Sequence, residues 1–211
     1  IGVLNGVGLV KVMGRESGFI AAQATLALKE VNYVLVPEYP FVMTGERGLL
    51  PSLELRLRDR GHAVIVAAEG AGQNLLTDTG LRDASGNPVL GDIADFLTGE
   101  IEAYFHARKM PMTLKFIDPS YIVRSVPANA NDRVYCGFLG QNAVHAAMAG
   151  KTGMVVSKLG SRYVHLPLDL VTLRRKKLNI ASDYWRAVIE STGQHSVTPF
   201  TDDPGIFCPM A

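Results

Sequence analysis

Short apolar segments alternate with amphipathic segments along this chain. The apolar segments have the length of β-strands, and they cover residues 7–13, 33–36, 62–68, 113–117 and 153–156. Between them, apolar residues recur with helical spacing over residues 18–31, 49–60, 93–105, 129–149 and 184–191. Such an alternation is typical of α/β proteins. The pattern therefore predicts a compact α/β protein with an open parallel sheet.

The segment 62–68, with the sequence HAVIVAA, is apolar without interruption. Parallel strands that are covered by helices on both faces have this composition, whereas half-exposed strands alternate between apolar and polar residues. Gly61 stands directly before the segment and is expected to end the preceding helix.

Composition narrows the possible functions. The chain has 211 residues, 47% of them hydrophobic and 19% charged, with a net charge of +1. These values exclude a disordered chain, and they lack the basic excess of a nucleic-acid or polybasic membrane binder. No apolar segment reaches the length of a membrane span. Two distant cysteines and five scattered histidines predict neither a disulfide framework nor a metal site, and we expect a cytoplasmic protein.

Polar residues with candidate chemistry follow three of the predicted strands. Ligands of open parallel sheets bind beyond the carboxyl ends of the strands, where loops from neighbouring strands meet. The residues found there are Met13, Gly14 and Arg15, then Glu69, and then Tyr121 and Arg124, with Lys115 nearby in sequence. Guanidinium and ammonium groups bind phosphate, and a carboxylate accepts hydrogen bonds from sugar hydroxyls. The set would suit a sugar phosphate, although an arginine after a strand is more often a surface ion-pair partner, Glu69 could start a turn, and Tyr121 could pack its ring locally.

Three longer motifs resemble the phosphofructokinases. Residues 8–22 (GLVKVMGRESGFIAA) resemble the MGR segment of this family, residues 64–73 (VIVAAEGAGQ) its second sugar-binding loop, and residues 117–136 with 141–150 the third. The sequences of these three segments most resemble the branch of the family that contains the plant and trypanosome-type ATP-dependent enzymes. The resemblance implies the phosphofructokinase fold, with the sugar-phosphate lobe and part of the nucleotide lobe.

The resemblance also assigns roles to these residues. It implies that Met13, Gly14 and Arg15 contact fructose 6-phosphate, and that Arg15 steadies charge on the transferring phosphoryl group. Glu69 would accept hydrogen bonds from the sugar hydroxyls. The 6-phosphate would be held by the segment Tyr121, Ile122, Val123 and Arg124.

Two further positions concern subunit contacts. Lys115 stands where bacterial enzymes have an arginine that reaches a neighbouring subunit, which implies a homo-oligomer, either a dimer or a tetramer. Gly6 stands where they have a second such arginine, so the phosphate would lack one guanidinium.

Several parts of the family pattern are absent from the chain. No segment matches the glycine-rich donor loop or the aspartate-containing catalytic segment, G-G-D-G and T-I-D-N-D. We therefore expect the C-terminal half of a 6-phosphofructokinase, cut before Ile1 and inactive alone, because the catalytic base and the main sites for ATP and Mg²⁺ lie elsewhere. Residues 1–122 would form the fructose 6-phosphate lobe, 123–172 would return to the nucleotide lobe, and 173–211 would form a C-terminal helix and tail.

Two other functions stay open at this stage. The donor could be pyrophosphate instead of ATP, because the side chains that choose between them lie in the absent loop. The chain could also be a non-catalytic module that binds a sugar phosphate. The reading frame before Ile1 distinguishes the enzyme from the binding module. An enzyme requires the glycine-rich and aspartate segments there, whereas a stop codon or an unrelated domain would indicate the module.

Overall fold

The computed structural model describes residues 5–77 and 80–194, which form six strands and seven α-helices within that part of the chain. In chain order these are β1 (Gly6–Val12), α1 (Phe19–Leu28), β2 (Tyr33–Leu35), α2 (Leu49–Arg60), β3 (His62–Ala68), α3 (Ile93–Ala107), β4 (Thr113–Ile117), α4 (Ser120–Ser125), α5 (Ala130–Met148), β5 (Met154–Leu159), β6 (Arg162–Pro167), α6 (Leu168–Thr172) and α7 (Asp183–Thr192). A short 3-10 turn, Gln73–Leu75, follows β3. None of the described helices is long and apolar enough to cross a membrane.

The chain divides into two units. The first contains Ile1–Tyr121 together with Lys177–Ala211, and the second contains Ile122–Lys176. The predicted tail lies almost entirely outside the described residues, which end at residue 194.

A parallel sheet of four strands forms the centre of the first unit, in the order β2-β3-β1-β4. Val7 on β1 lies beside Ala63 on β3, and Gly8 lies beside Lys115 on β4. This confirms the predicted α/β fold with an open parallel sheet. Because the strands are parallel, the loops that follow β1, β3 and β4 all leave the sheet at the carboxyl ends of the strands.

Alternate residues of β3 enter two separate apolar cores. Ala63, Ile65 and Ala67 join a core with α2 and α3, whereas Val66 and Ala68 join a core with α1 and α7. Side chains of successive strand residues point to opposite faces. The uninterrupted apolar sequence of this strand therefore follows from helices on both faces of the sheet.

The second unit has a different construction. Its strands β5 and β6 form an antiparallel pair, with Met154 beside Pro167. The sequence pattern predicted only part of β5 and missed β6, because Arg162–Pro167 is half-exposed and mixes charged with apolar residues. Of the described residues in this unit, Ala146 alone is a buried apolar residue. Over residues 122–176 this unit therefore has no buried core of its own comparable to those of the first unit.

Candidate functional site

The loops after β1 and β3 are joined by backbone hydrogen bonds. The Glu69 amide donates to the Val12 carbonyl over 3.0 Å, and the Gly70 amide donates to the Gly14 carbonyl over 3.1 Å. A Cβ atom at Gly70 would lie 1.9 Å from the carbonyl oxygen of Arg15. Position 70 therefore requires glycine, and the two loops lie side by side because of it.

A cavity of about 180 Å³ opens where these loops meet the start of α3. It is lined by Lys11, Arg15, Glu69, Leu90, Gly91, Asp92 and Ile93. The structure thus brings together Arg15 and Glu69, two of the residues that the sequence selected. Within residues 5–77 and 80–194, no group donates a hydrogen bond to the Glu69 carboxylate, so its oxygens can accept bonds from a ligand.

Arg15 is held by the segment that precedes α3. One Nη atom lies 3.4 Å from Oδ2 of Asp83, and the other donates to the Pro88 carbonyl. The Asp83 carboxylate is itself fixed, because it accepts bonds from the amides of Ser85 and Asn87, each over 2.9 Å. The Asn87 amide is the main cause of the lowered pKa of Asp83, to which the Ser85 amide and the Arg15 charge also contribute.

Lys11 enters the cavity from the middle of the sheet. Its Nζ atom lies 3.2 Å from Oδ2 of Asp92 and 3.4 Å from Oδ2 of Asp118, above the ring of Phe116. Partial burial lowers the pKa of Lys11, but the bonds and charges of Asp92 and Asp118 outweigh burial and raise that pKa overall. The ammonium group is therefore charged and bound to two carboxylates.

The start of α3 forms the opposite wall. Oδ1 of Asp92 accepts the amide of Ala94 over 2.9 Å, an N-terminal cap of the helix. The side-chain amide of Gln73 donates to the Gly91 carbonyl and accepts the Gly91 amide, over 3.1 and 3.0 Å. These bonds fix Gly91 and Asp92, the two residues before the helix.

The charges of the lining balance. Lys11 and Arg15 are positive, Glu69 and Asp92 are negative, and each of the two cations also contacts a further aspartate. Such a surface suits a hydroxyl-rich ligand better than a phosphate, which needs an excess of cations.

The other predicted residues lie outside this lining. Met13 is half-buried in the loop after β1, and Lys115 is exposed on β4. Tyr121 is 82% exposed and ends the first unit. Ile122, Val123 and Arg124 are exposed residues of α4 that belong to the second unit. Gly6 pairs with His62 and Thr113 in the sheet.

Sequence reasoning missed Lys11, Asp92, Asp83 and Asp118. A signal existed for two of them, because a lysine within the apolar segment VGLVKVM is unusual and an aspartate directly before a predicted helix is a typical cap. Their meeting could not be inferred, since they are separated by up to 107 positions. In the described part of the chain, no group of three histidine, cysteine, aspartate or glutamate side chains is placed to hold a metal ion.

Comparison with known proteins connects this chain to a family. The model of the phosphofructokinase family matches residues 3–147. The ATP-dependent 6-phosphofructokinase of Borreliella burgdorferi is 49% identical over 197 residues, which are 90% of this chain and 44% of that protein. ATP-dependent 6-phosphofructokinase 1 of Arabidopsis thaliana is 47% identical over 197 residues, which are 91% of this chain and 41% of that protein. The chain thus spans less than half the length of these relatives.

A solved structure shares the fold. The pyrophosphate-dependent phosphofructokinase of Marinobacter aquaeolei superposes with a TM-score of 0.62 at 23% identity, over 96% of this chain and 51% of that one. The motifs, the sheet and the extent of the family match lead to the same conclusion: the chain belongs to the phosphofructokinase family.

Proposed function

We propose that this chain forms the sugar-phosphate-binding part of an ATP-dependent 6-phosphofructokinase, which transfers the γ-phosphoryl group of ATP to the 1-hydroxyl of fructose 6-phosphate in glycolysis. One observation carries the proposal. Arg15 and Glu69, 54 positions apart in sequence, line one cavity whose loops are joined by the bond from Gly70 to Gly14. The names of relatives with 47–49% identity support ATP as the donor.

Glu69 is the residue that recognises the sugar in this proposal. Its carboxylate lines the cavity and receives no bond from the described residues, so it can accept hydrogen bonds from two hydroxyls. Gly14 leaves the neighbouring loop without a side chain, and Met13 stands at its start. A sugar, in ring or open-chain form, suits a lining with balanced charges, because its uncharged hydroxyl groups both donate and accept hydrogen bonds.

Arg15 acts at the 1-hydroxyl end. Its guanidinium lines the same cavity as Glu69 and can neutralise charge on the phosphoryl group during transfer. Phosphoryl transfer depends mostly on positioning and charge neutralisation, so a single well-placed guanidinium is valuable. A ligand at this position has to compete with the Asp83 carboxylate and the Pro88 carbonyl.

The 6-phosphate belongs, in our proposal, to the segment from Tyr121 to Arg124, including Ile122 and Val123. The balanced charge of the cavity supports this division, because a phosphate requires cations that the cavity does not have in excess. Lys115 would contribute from a neighbouring subunit of a homo-oligomer, and its exposure at the edge strand β4 supports such a role.

The remaining parts of the enzyme complete the proposal. Residues 1–122 would form the sugar-phosphate lobe, residues 123–172 the part that returns to the nucleotide lobe, and residues 173–211 the C-terminal helix and tail, in a cytoplasmic protein. ATP and Mg²⁺ would bind mainly outside this chain. The described residues do not fit a Mg²⁺ site, since they hold no cluster of three suitable side chains.

The test is a kinetic comparison of the full-length protein with the variant Glu69→Gln. The amide keeps the shape of the carboxylate but loses its charge, so sugar binding should weaken by about 1.5–3 kcal/mol, or roughly 10- to 150-fold in KM. The KM for ATP should not change. Glu102→Gln, an exposed position on α3, is the matched control. Normal kinetics of Glu69→Gln would contradict the assignment.

Arg124 requires its own experiment. Arg124→Ala should weaken the use of fructose 6-phosphate by about 2–5 kcal/mol, because a phosphate loses a charge-assisted partner, with far less effect on the donor. Arg186→Ala, a substitution in an exposed ion pair, is the control. Assays with ATP and pyrophosphate as rival donors decide the donor. Turnover with neither donor, together with tight binding of the sugar phosphate, would contradict the enzyme and support a binding module.

A further inference from the structure

Lys11 lines the cavity, but the proposed function gives it no role. Its side chain is only 19% exposed, although it lies in a strand that is otherwise apolar. A lysine at such a position needs partners, because burial of an unpaired ammonium group is costly. The two partners it has, Asp92 and Asp118, come from distant parts of the chain.

Each partner also starts a helix. Asp92 caps α3 through the bond from the Ala94 amide. Oδ1 of Asp118 accepts the amide of Ser120, the first residue of α4, over 3.0 Å, and also the hydroxyl of Ser120. One ammonium group therefore connects the beginnings of two helices.

The two carboxylates need this ammonium group between them. Each places an Oδ2 atom within 3.4 Å of the same Nζ, so their negative charges lie only a few ångströms apart. Like charges at this separation repel each other, although the two carboxylates are 46% and 35% exposed and solvent weakens the repulsion. Removal of Lys11 leaves this repulsion without a compensating charge.

We propose that Lys11 is a positioning residue for the sugar-phosphate site: through Asp92 it holds the start of α3 at the wall of the cavity, and through Asp118 it holds the turn before Tyr121. The inference rests on the proposed function for its consequence in catalysis. Lys11 need not contact the substrate in this role, because its three ammonium hydrogens have the two carboxylates as acceptors. Its charge sets the position of Tyr121, which follows Asp118 by three residues.

The competing explanation is that Lys11 binds the anionic substrate directly. Both explanations expect that Lys11→Met raises the KM for fructose 6-phosphate, by about ten- to a hundredfold if the wall is displaced. They differ in the double variant Lys11→Met with Asp118→Asn. If Lys11 positions the two aspartates, removal of one carboxylate relieves the repulsion and restores at least severalfold of the loss. A double variant as weak as the single one overturns the proposal.

Two further variants keep the test informative. Asp118→Asn alone should raise the KM for fructose 6-phosphate severalfold while the KM for the donor stays constant, and an unchanged sugar KM overturns the proposal even if Lys11→Met does not fold. Lys29→Met, at an exposed lysine of the same unit, should leave both constants unchanged.

Amide hydrogen exchange separates the two proposals from each other. In Lys11→Met the amides of Ala94 and Ser120 should exchange faster than in the wild type, with or without substrate. If they do, and the wild-type protein does not phosphorylate fructose 6-phosphate, the proposed function fails and the positioning role stands. Unchanged exchange at both amides overturns the positioning role, whatever the activity of the enzyme.

Discussion

The first unit covers its sheet on both faces, whereas the second unit leaves its longest helix largely uncovered. In the first, α3 contributes Leu97, Ile101 and Phe105 to the core with at most 1% exposure. In the second, α5 carries Phe138 at 48% and Met148 at 83% exposure. Both helices have apolar residues at helical spacing, so the spacing alone does not tell which helix is buried.

The difference accounts for the position of the cavity lined by Arg15 and Glu69. A site needs side chains that are held in place, and the first unit provides them through a packed core directly beneath the cavity. Ile93, which lines the cavity, is fully buried in that core. The second unit has no comparable core among residues 122–176, so its contribution to a site depends on what covers it.

The largest expected effect distinguishes the two helices by one matched substitution. Phe105→Ala should lower the free energy of unfolding by about 3–5 kcal/mol, because it empties a fully packed position. Phe138→Ala should cost about 1 kcal/mol, since it loses mainly the stacked contact with Tyr163. Urea unfolding of both variants of the chain measures this, and equal losses would contradict the difference between the units.

A smaller effect is expected from glycine positions. Gly70→Ala should cost about 1–3 kcal/mol and widen the cavity, because the added Cβ collides with the backbone of Arg15. Gly99→Ala on α3 meets nothing within 4 Å and should stabilise by up to about 1 kcal/mol. Thermal unfolding compares the two, and a stable Gly70→Ala protein with normal sugar binding would refute the close approach of the loops.

Acid should weaken the N-terminal cap of α3, which is an aspartate, but not the cap of α5, which is an asparagine. Partial burial raises the pKa of Asp92, but the Ala94 amide and Lys11 outweigh it, so the pKa is lowered overall. The cap therefore stabilises fully above the ordinary aspartate value of 3.8 and is lost as the pH falls through the lowered folded-state pKa. The loss should be at most about 1 kcal/mol, reduced by solvent screening.

The control for this pH dependence is Asn129, which caps α5 by accepting the Asp132 amide over 2.9 Å. An asparagine does not titrate in this range, so its bond should persist. NMR hydrogen exchange of the Ala94 and Asp132 amides between about pH 5 and 2 follows both caps. Parallel weakening of the two would show that general acid unfolding, and not Asp92, is responsible.

The smallest effect is expected on the uncovered helix. Met148→Ser should change the free energy of unfolding of this chain by less than about 0.5 kcal/mol, because the side chain is 83% exposed. Chemical denaturation measures the change. A loss comparable to that of a core methionine would mean that Met148 is packed.

The fold could be predicted from the sequence to a large extent. The bounds of α2, β3 and β4 agree with the prediction residue for residue, and Gly61 ends α2 as expected. Helix α1 ends at Leu28, before the predicted position, because the chain turns at Lys29 with a positive φ of 53°. Local periodicity does not show such an end, since Val31 continues the helical spacing of Ala27 and Leu28.

The candidate site could be predicted only in part. The sequence indicates Arg15 and Glu69 because both follow strands of one parallel sheet, and ligands of such sheets bind beyond the carboxyl ends of the strands. The partners of Arg15 in residues 83–88 lie in a segment whose turn residues reveal a loop but not its destination. The roles of Met13, Lys115, Tyr121 and Arg124 in sugar binding remain proposals.

The sequence by itself determined the order of strands and helices from β1 to β4, the two-sided burial of β3 and the family motifs, because each depends on neighbouring residues. Only the tertiary structure decided that Lys11 joins Asp92 to Asp118, that Arg15 is bound by Asp83, and that α5 is exposed. These features depend on contacts between residues far apart in the chain. Hydrophobic spacing shows that a face is apolar, but the packing of the whole chain decides what, if anything, covers it.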